Sequence, residues 1–146
     1  MAPKRAEHSL VIDAAPAVCF EAITEYETFP DWQDSVKDVE VLSRDDEGRG
    51  LDVRFDIDAK VRQVSYTLRY SYEPPHQITW DYVDGDVKSV DGEYVFEDRR
   101  DGTTLATYSL AIDAGVWLPG PVKKMLTDQV MKRSVEDLKR RVETDS

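Results

Sequence analysis

The chain has 146 residues, of which 40% are apolar, 34% charged and 10% aromatic. That composition belongs to one folded domain with a single core, and it excludes a disordered or fibrous protein. Thirty acidic residues against 19 basic ones give a formal charge of −11, which argues against a nucleic-acid partner, because such a surface repels phosphates.

The longest apolar runs, such as Leu10-Val11-Ile12, fall far short of the ~20 residues a bilayer span needs, and Met1-Ala2-Pro3-Lys4-Arg5 leads straight into an alternating segment. The expectation is a cytoplasmic protein with no signal peptide and no integral membrane association. Cys19 is the single cysteine, so it forms no internal disulfide and builds no thiolate metal site by itself.

In chain order, residues 7–13 are rich in β-formers and predict a first strand, with Asp13 as a candidate cap for the next element. Pro16 suits the first turn of a helix, and Val18, Cys19, Ala22, Ile23 and Tyr26 recur on one helical face. Thr28-Phe29-Pro30-Asp31-Trp32 restarts helical structure and ends it near Ser35. The period then changes to two. A strand over 37–42 closes at the charged turn Asp45–Gly50, and Leu51, Val53, Phe55, Ile57 and Ala59 alternate with charged or polar neighbours.

Val64, Tyr66, Leu68, Tyr70 and Tyr72 alternate up to Pro74-Pro75, which ends the ladder. Three more strands follow over 77–83, 87–97 and 103–113, divided by the turns Asp84-Gly85-Asp86 and Asp101-Gly102. Pro121 opens a helix running to about Glu143, roughly 34 Å long at 1.5 Å per residue. Its Val122, Met125, Leu126 and Val130 share one face, whereas Met131, Val135, Leu138 and Val142 lie mostly round the other side. Seven strands, two short helices after the first and one long C-terminal helix predict an α+β fold in which a twisted antiparallel sheet curls around that helix. Residues 1–146 form one domain, with 1–6 and 144–146 as flexible tails.

By phase, the inner sheet faces hold Phe55, Tyr66, Leu68, Tyr70, Tyr72, Trp80, Tyr82, Tyr94, Phe96 and Tyr108, which include six of the seven tyrosines. Each buried phenol needs a hydrogen-bond partner, so the face suits a semi-polar cavity; the alternative is a core simply filled by these rings. Ionisable groups there reduce to Arg62 and, from the helix, Arg133 beside Gln129. General acid–base or nucleophilic chemistry needs a positioned titratable group. His8 and His76 read as surface residues and Cys19 as a buried structural thiol. The acidic pairs lack the spacing of a calcium loop, and no glycine-rich phosphate loop occurs, so no metal and no cofactor are expected.

Residues 119–143 carry seven basic and four acidic side chains, net +3 on a chain of −11. This basic strip is either a solvated helix face or a dock for an anionic partner, and Trp117-Leu118-Pro119 beside it is either a gate or a packed tip.

Several segments, taken in order, resemble one family. Tyr26-Glu27-Thr28-Phe29-Pro30-Asp31-Trp32 is followed by Val36–Val41, by Pro74-Pro75 leading to Ile78-Thr79-Trp80, by Gly92-Glu93-Tyr94 and Gly102-Thr103-Thr104, and by Leu138-Lys139-Arg140-Arg141-Val142-Glu143. The chain resembles the START-like SRPBCC superfamily, and within it the bacterial polyketide cyclase/dehydrase and coenzyme Q-binding group. The resemblance implies a helix-grip fold around a deep hydrophobic cavity. Members bind lipids, quinones, polyketides or hormones, and some catalyse cyclisation or dehydration.

The leading expectation is a protein that binds a small hydrophobic or amphipathic ligand. The alternatives are a polyketide cyclase/aromatase-type enzyme and an interaction module using the basic helix. The expected ligand-binding residues are Phe29, Trp32, Phe55, Arg62, Tyr66, Leu68, Tyr70, Trp80, Tyr94, Tyr108, Met125 and Gln129; no catalytic residue is assigned. A homodimer is left open.

Overall fold

A computed structural model describes residues 6–33, 35–58, 63–113 and 120–144, apart from the side chains of residues 6, 120–127, 129, 130 and 144. Strand β1 spans Ala6–Ile12, helices α1 Pro16–Thr24 and α2 Phe29–Trp32 follow, and a 3₁₀ turn at Tyr26–Thr28 joins the two. Six strands then run without interruption: β2 Val36–Val41, β3 Asp52–Asp58, β4 Gln63–Glu73, β5 Gln77–Gly85, β6 Ser89–Asp98 and β7 Thr104–Asp113. Helix α3 spans Gly120–Thr144. The strands form one antiparallel sheet in the order β1-β7-β6-β5-β4-β3-β2. Only β1 sits away from its neighbour in sequence, because the chain crosses through α1 and α2 to reach the far edge. The α+β architecture and its seven-stranded antiparallel sheet therefore match the expectation.

Helix α1 begins with Pro16, whose missing N–H costs nothing in a first turn, and buries Cys19, Phe20 and Ile23 on one face. Asp13 does not cap it. The N-cap is Ala15, with no side-chain cap bond, and the Asp13 backbone N–H instead donates to Glu143 Oε2 at 2.9 Å. That bond ties the end of α3 to the turn after β1, where Lys139 also donates to the Val11 carbonyl at 3.0 Å. Thr104 Oγ1 donates to the Ala14 carbonyl at 2.7 Å, closing the same corner onto β7.

The C-terminal half of α3 packs on β1, β7 and α1. It buries Met131, Val135, Leu138 and Val142 against Ile12, Cys19 and Leu110, and each large aliphatic side chain sealed there is worth about 2 kcal/mol of apolar burial. The face carrying Met131 to Val142 is thus the packing face, as its separate stripe predicted. Val122, Met125, Leu126 and Val130 fall outside the described side chains. Arg133 is exposed, so it does not reach the inner face: two residues from both Met131 and Val135, it is turned away from their side of the helix.

One departure from strict alternation matters for the site. β5 does not stop at Val83; it continues to Gly85, and the β4–β5 register shifts between Thr67 and Leu68. Leu68 faces Tyr82 and Thr67 faces Asp84, so Val83 is the extra residue of a bulge. Past the bulge the phase reverses and brings Gly85 opposite Tyr66. A Cβ on Gly85 would lie 2.5 Å from the Tyr66 Cα, and its φ of +143° lies in the region glycine tolerates.

Candidate functional site

Strands β3 to β7 assemble one continuous aromatic face from cross-strand pairs. Phe55 opposes Tyr66, Tyr70 opposes Trp80, Trp80 opposes Gly92, and Tyr94 opposes Tyr108. Residues of equal phase on neighbouring strands share a face, so their rings must meet. Ring centroids are 5.9 Å apart for Phe55–Tyr66, 5.8 Å for Tyr70–Trp80, 5.5 Å for Trp80–Tyr108 and 4.6 Å for the perpendicular Tyr94–Tyr108 pair. Gly92 makes the centre of this face. A Cβ there would lie 2.4 Å from the Ser109 carbonyl oxygen and 2.7 Å from Trp80 Cζ2, so only glycine lets the indole lie against β6.

Phe29 and Trp32 extend the cluster from α2. Phe29 is buried 6.1 Å from Phe55, and Trp32 is half-buried against Phe29 at 5.1 Å. Trp32 Nε1 donates to Thr28 Oγ1 at 3.0 Å. Leu68 is buried between Val53 and Tyr82 across the ladder. Nine of the expected lining residues are thus brought together. The other three are not located: Arg62 lies outside the described residues, as do the side chains of Met125 and Gln129. The Trp117-Leu118-Pro119 tip and the side chains of Lys123 and Lys124 lie outside them too.

The tyrosines divide into two sets by the partners of their hydroxyls. Tyr72 donates to the Gly50 carbonyl at 2.6 Å and shares a hydrogen bond with Tyr26 at 2.7 Å, while Arg49 stacks between Phe20 and Tyr72. Tyr82 donates to the Val87 carbonyl. These phenols fasten loops. Tyr66, Tyr70 and Tyr108 have no hydrogen-bond partner for their hydroxyls among the described residues. Burial holds all three phenols neutral: Tyr66 is pushed up to about 12, and Tyr70 and Tyr108 are raised above the ordinary phenol range. Trp80 Nε1 is buried without any partner as well, and an unpaired buried donor costs about 1–3 kcal/mol.

Two features escaped the sequence reading. Tyr26, counted there only as part of a helical stripe, is 2% exposed and lies 4.6 Å from the Tyr70 ring. Asp137 is the one buried carboxylate among the described residues; it pairs with Arg140 at 3.3 Å. Burial raises Tyr94 well above the ordinary phenol range, and Tyr108 and Asp137 add to the rise, while a hydrogen bond to Ser134 opposes it. An i, i+3 pair of Ser134 and Asp137 just before an apolar position is the signal that could have exposed them. On a basic helix it reads instead as solvated charge.

Cys19 is fully buried and its thiol is pushed up to about 11, chiefly by burial, the condition of a structural thiol. His76 is exposed, with Nδ1 3.2 Å from the Phe96 carbonyl, and His8 is half-buried in β1. No group of three or more His, Cys, Asp or Glu side chains is placed to hold a metal ion among the described residues. No helix there is long and apolar enough to cross a membrane. Two open grooves, each of about 410 Å³, lie apart from the aromatic rings except for Tyr66: one around the β5 bulge beside Arg54 and Asp84, the other between α1 and α3 beside Val18 and Glu21.

A seven-stranded antiparallel sheet wrapped about a C-terminal helix, with two short helices after its first strand, defines the helix-grip, START-like class. Residues 3–143 match the family described as polyketide cyclase / dehydrase and lipid transport, and the chain belongs to that family. No curated protein matches the chain. Among solved structures it is similar to a START superfamily protein from Mycobacterium smegmatis, with 19% identity, 97% of this chain and 99% of that one covered, and a TM-score of 0.90. TTHA0849 from Thermus thermophilus aligns with 17% identity over 98% of this chain and 99% of that one, TM-score 0.83. The Zhui aromatase/cyclase from Streptomyces sp. R1128 aligns with 18% identity over 96% and 93%, TM-score 0.79. At these identities the likeness establishes the fold.

Proposed function

We propose that the protein binds a small hydrophobic or amphipathic molecule in a cavity between the aromatic sheet face and α3. The observation that carries this reading is the set of deep phenols with no hydrogen-bond partner among the described residues. Tyr66 is desolvated enough to be pushed up to about 12, yet it keeps accessible surface. That surface opens on the groove at the β5 bulge, and the burial of Tyr70 and Tyr108 deeper on the same face supports a semi-polar site there. α3 meets the sheet chiefly at β1 and β7, and the rings of β3–β5 meet Tyr26 and Phe29 instead. Apolar contact at about 25 cal/mol per Å² drives entry, less the cost of ordering the ligand. This reading puts the protein in the cytoplasm, taking its ligand from solution.

Thermal-shift titration against 2-methylnaphthalene, laurate and 2-methyl-1,4-naphthoquinone tests the reading. At least one of them is expected to raise the melting temperature, and Phe55→Ala to abolish the rise. A wild-type protein indifferent to all three refutes it.

Asp137 favours a second reading. A carboxylate buried beside Tyr94 and Ser134 is the acid–base element a polyketide cyclase-type enzyme requires, and family and fold admit one. Turnover of an aromatic polyketide precursor, lost in Asp137→Asn and in Tyr94→Phe with binding retained, establishes it; binding without product rejects it.

A further inference from the structure

The rings of Tyr66, Tyr70 and Tyr108 adjoin Phe55 and Trp80, with Tyr70 beside both. Phe55 is 5.9 Å from Tyr66 and 6.4 Å from Tyr70, and Trp80 is 5.8 Å from Tyr70 and 5.5 Å from Tyr108. These contacts join the three phenols through two shared rings, with Tyr70 in the middle. Each can donate a hydrogen bond, none has a partner among the described residues, and the unpartnered Trp80 Nε1 lies among the same rings as a fourth donor. Of these, Trp80 Nε1 is the buried donor without an acceptor among the described residues, while Tyr66, Tyr70 and Tyr108 keep some accessible surface; a site that keeps such donors is built for an acceptor that arrives.

The same surroundings disfavour an anion. No cationic side chain is buried among the described residues, Asp137 lies close enough to Tyr94 to raise it, and the chain carries −11. A carboxylate moved into this region would lose its hydration without gaining a counter-charge from any described residue.

We propose that Tyr66, Tyr70 and Tyr108, set around the Trp80 indole, form a polar subsite that selects an uncharged ligand bearing carbonyl or hydroxyl oxygens over a fatty carboxylate. This rests on the cavity reading above and names the ligand chemistry it serves. Tyr70 and Tyr108 determine specificity by donating to the ligand oxygens; the aromatic rings supply affinity without discrimination.

Three probes separate these contributions at pH 8: 2-methyl-1,4-naphthoquinone, 2-methylnaphthalene of the same shape without oxygens, and laurate. Dissociation constants from calorimetry are expected to favour the quinone over the hydrocarbon by about tenfold, the worth of roughly one buried hydrogen bond, and over laurate by more. The double variant Tyr70→Phe/Tyr108→Phe keeps both rings and is expected to bring quinone and hydrocarbon within about twofold. In wild-type protein carrying ¹³Cζ-tyrosine, the quinone moves the Tyr70 and Tyr108 resonances and the hydrocarbon does not.

Equal affinity for quinone and hydrocarbon, a ratio untouched by the double variant, or laurate as the tightest probe overturns the subsite while leaving the cavity standing. Failure of all three probes to bind removes the cavity, and the subsite with it.

Discussion

The two ends of the interior are built from different chemistry. Where α1 and the C-terminal half of α3 meet β1 and β7, the core is Ile12, Cys19, Leu110, Met131, Val135 and Leu138, all 1% exposed or less. Polar atoms there are matched, as when Thr104 reaches the Ala14 carbonyl. Across β3 to β6 the interior is Phe55, Tyr66, Tyr70, Trp80 and Tyr94, where the Tyr66 and Tyr70 hydroxyls and the Trp80 N–H have no partner among the described residues. The aliphatic end is closed by well-buried side chains, and an open groove between α1 and α3 lies beside it. The aromatic end carries polar groups that folding alone leaves unpaired. The aliphatic end is built for stability, and the proposed recognition falls at the other.

Substitutions can break that division or sharpen it. The largest effect is expected at Gly92, where the two ends join: Gly92→Ala places a Cβ against the Ser109 carbonyl and the Trp80 ring. Overpacking against backbone is expected to cost about 3 kcal/mol or more by urea denaturation. Leu138→Ala, in the aliphatic end, is expected to cost about 3 kcal/mol while leaving naphthoquinone affinity within about twofold. A matching loss of affinity would mean that the two ends are not separable.

Alkali gives an intermediate effect that belongs to the aromatic end. The folded pKa values of Tyr66 and Tyr72 stand at about 12, above the ordinary phenol value of 10. The folded state therefore favours the protonated phenol, and its stabilisation is complete below pH 10 and lost as pH rises from 10 through 12. Stability is expected to fall there by roughly 1.4 kcal/mol per pH unit for each phenol that ionises only on unfolding. Phenolate absorbance read alongside unfolding checks this, and Tyr66→Phe should reduce the slope.

The smallest effect is the most telling. Tyr70→Phe removes a hydroxyl with no partner among the described residues, so stability should change by less than about 1 kcal/mol in either direction. A loss of several kcal/mol would make Tyr70 a structural residue.

How much of this was legible in the sequence depends on the information that local pattern encodes. The alternation of Val53, Phe55 and Ile57 with Asp52, Arg54 and Asp56 fixed a strand and its buried face, and the cross-strand ring pairs follow from phase once the strands are neighbours. The bulge at Val83 was not legible, because one extra residue changes no composition and shows only when β4 is laid beside it. Phase placed Tyr72 on the right face without revealing that it fastens Gly50, a residue brought back by the β2–β3 hairpin. Asp137 was lost for the opposite reason. Charge on a basic helix reads as solvent-facing, and only the packed helix turns that position inward.

The central claim, that the aromatic end encloses a ligand, is met most directly by native mass spectrometry of the purified protein, as isolated and after addition of 2-methyl-1,4-naphthoquinone. The account predicts a discrete non-covalent 1:1 adduct, co-purified or acquired, that is released on denaturation and lost in Phe55→Ala. A bare protein mass under both conditions would contradict it, and the phenols would then be the core of a domain that acts through its surface.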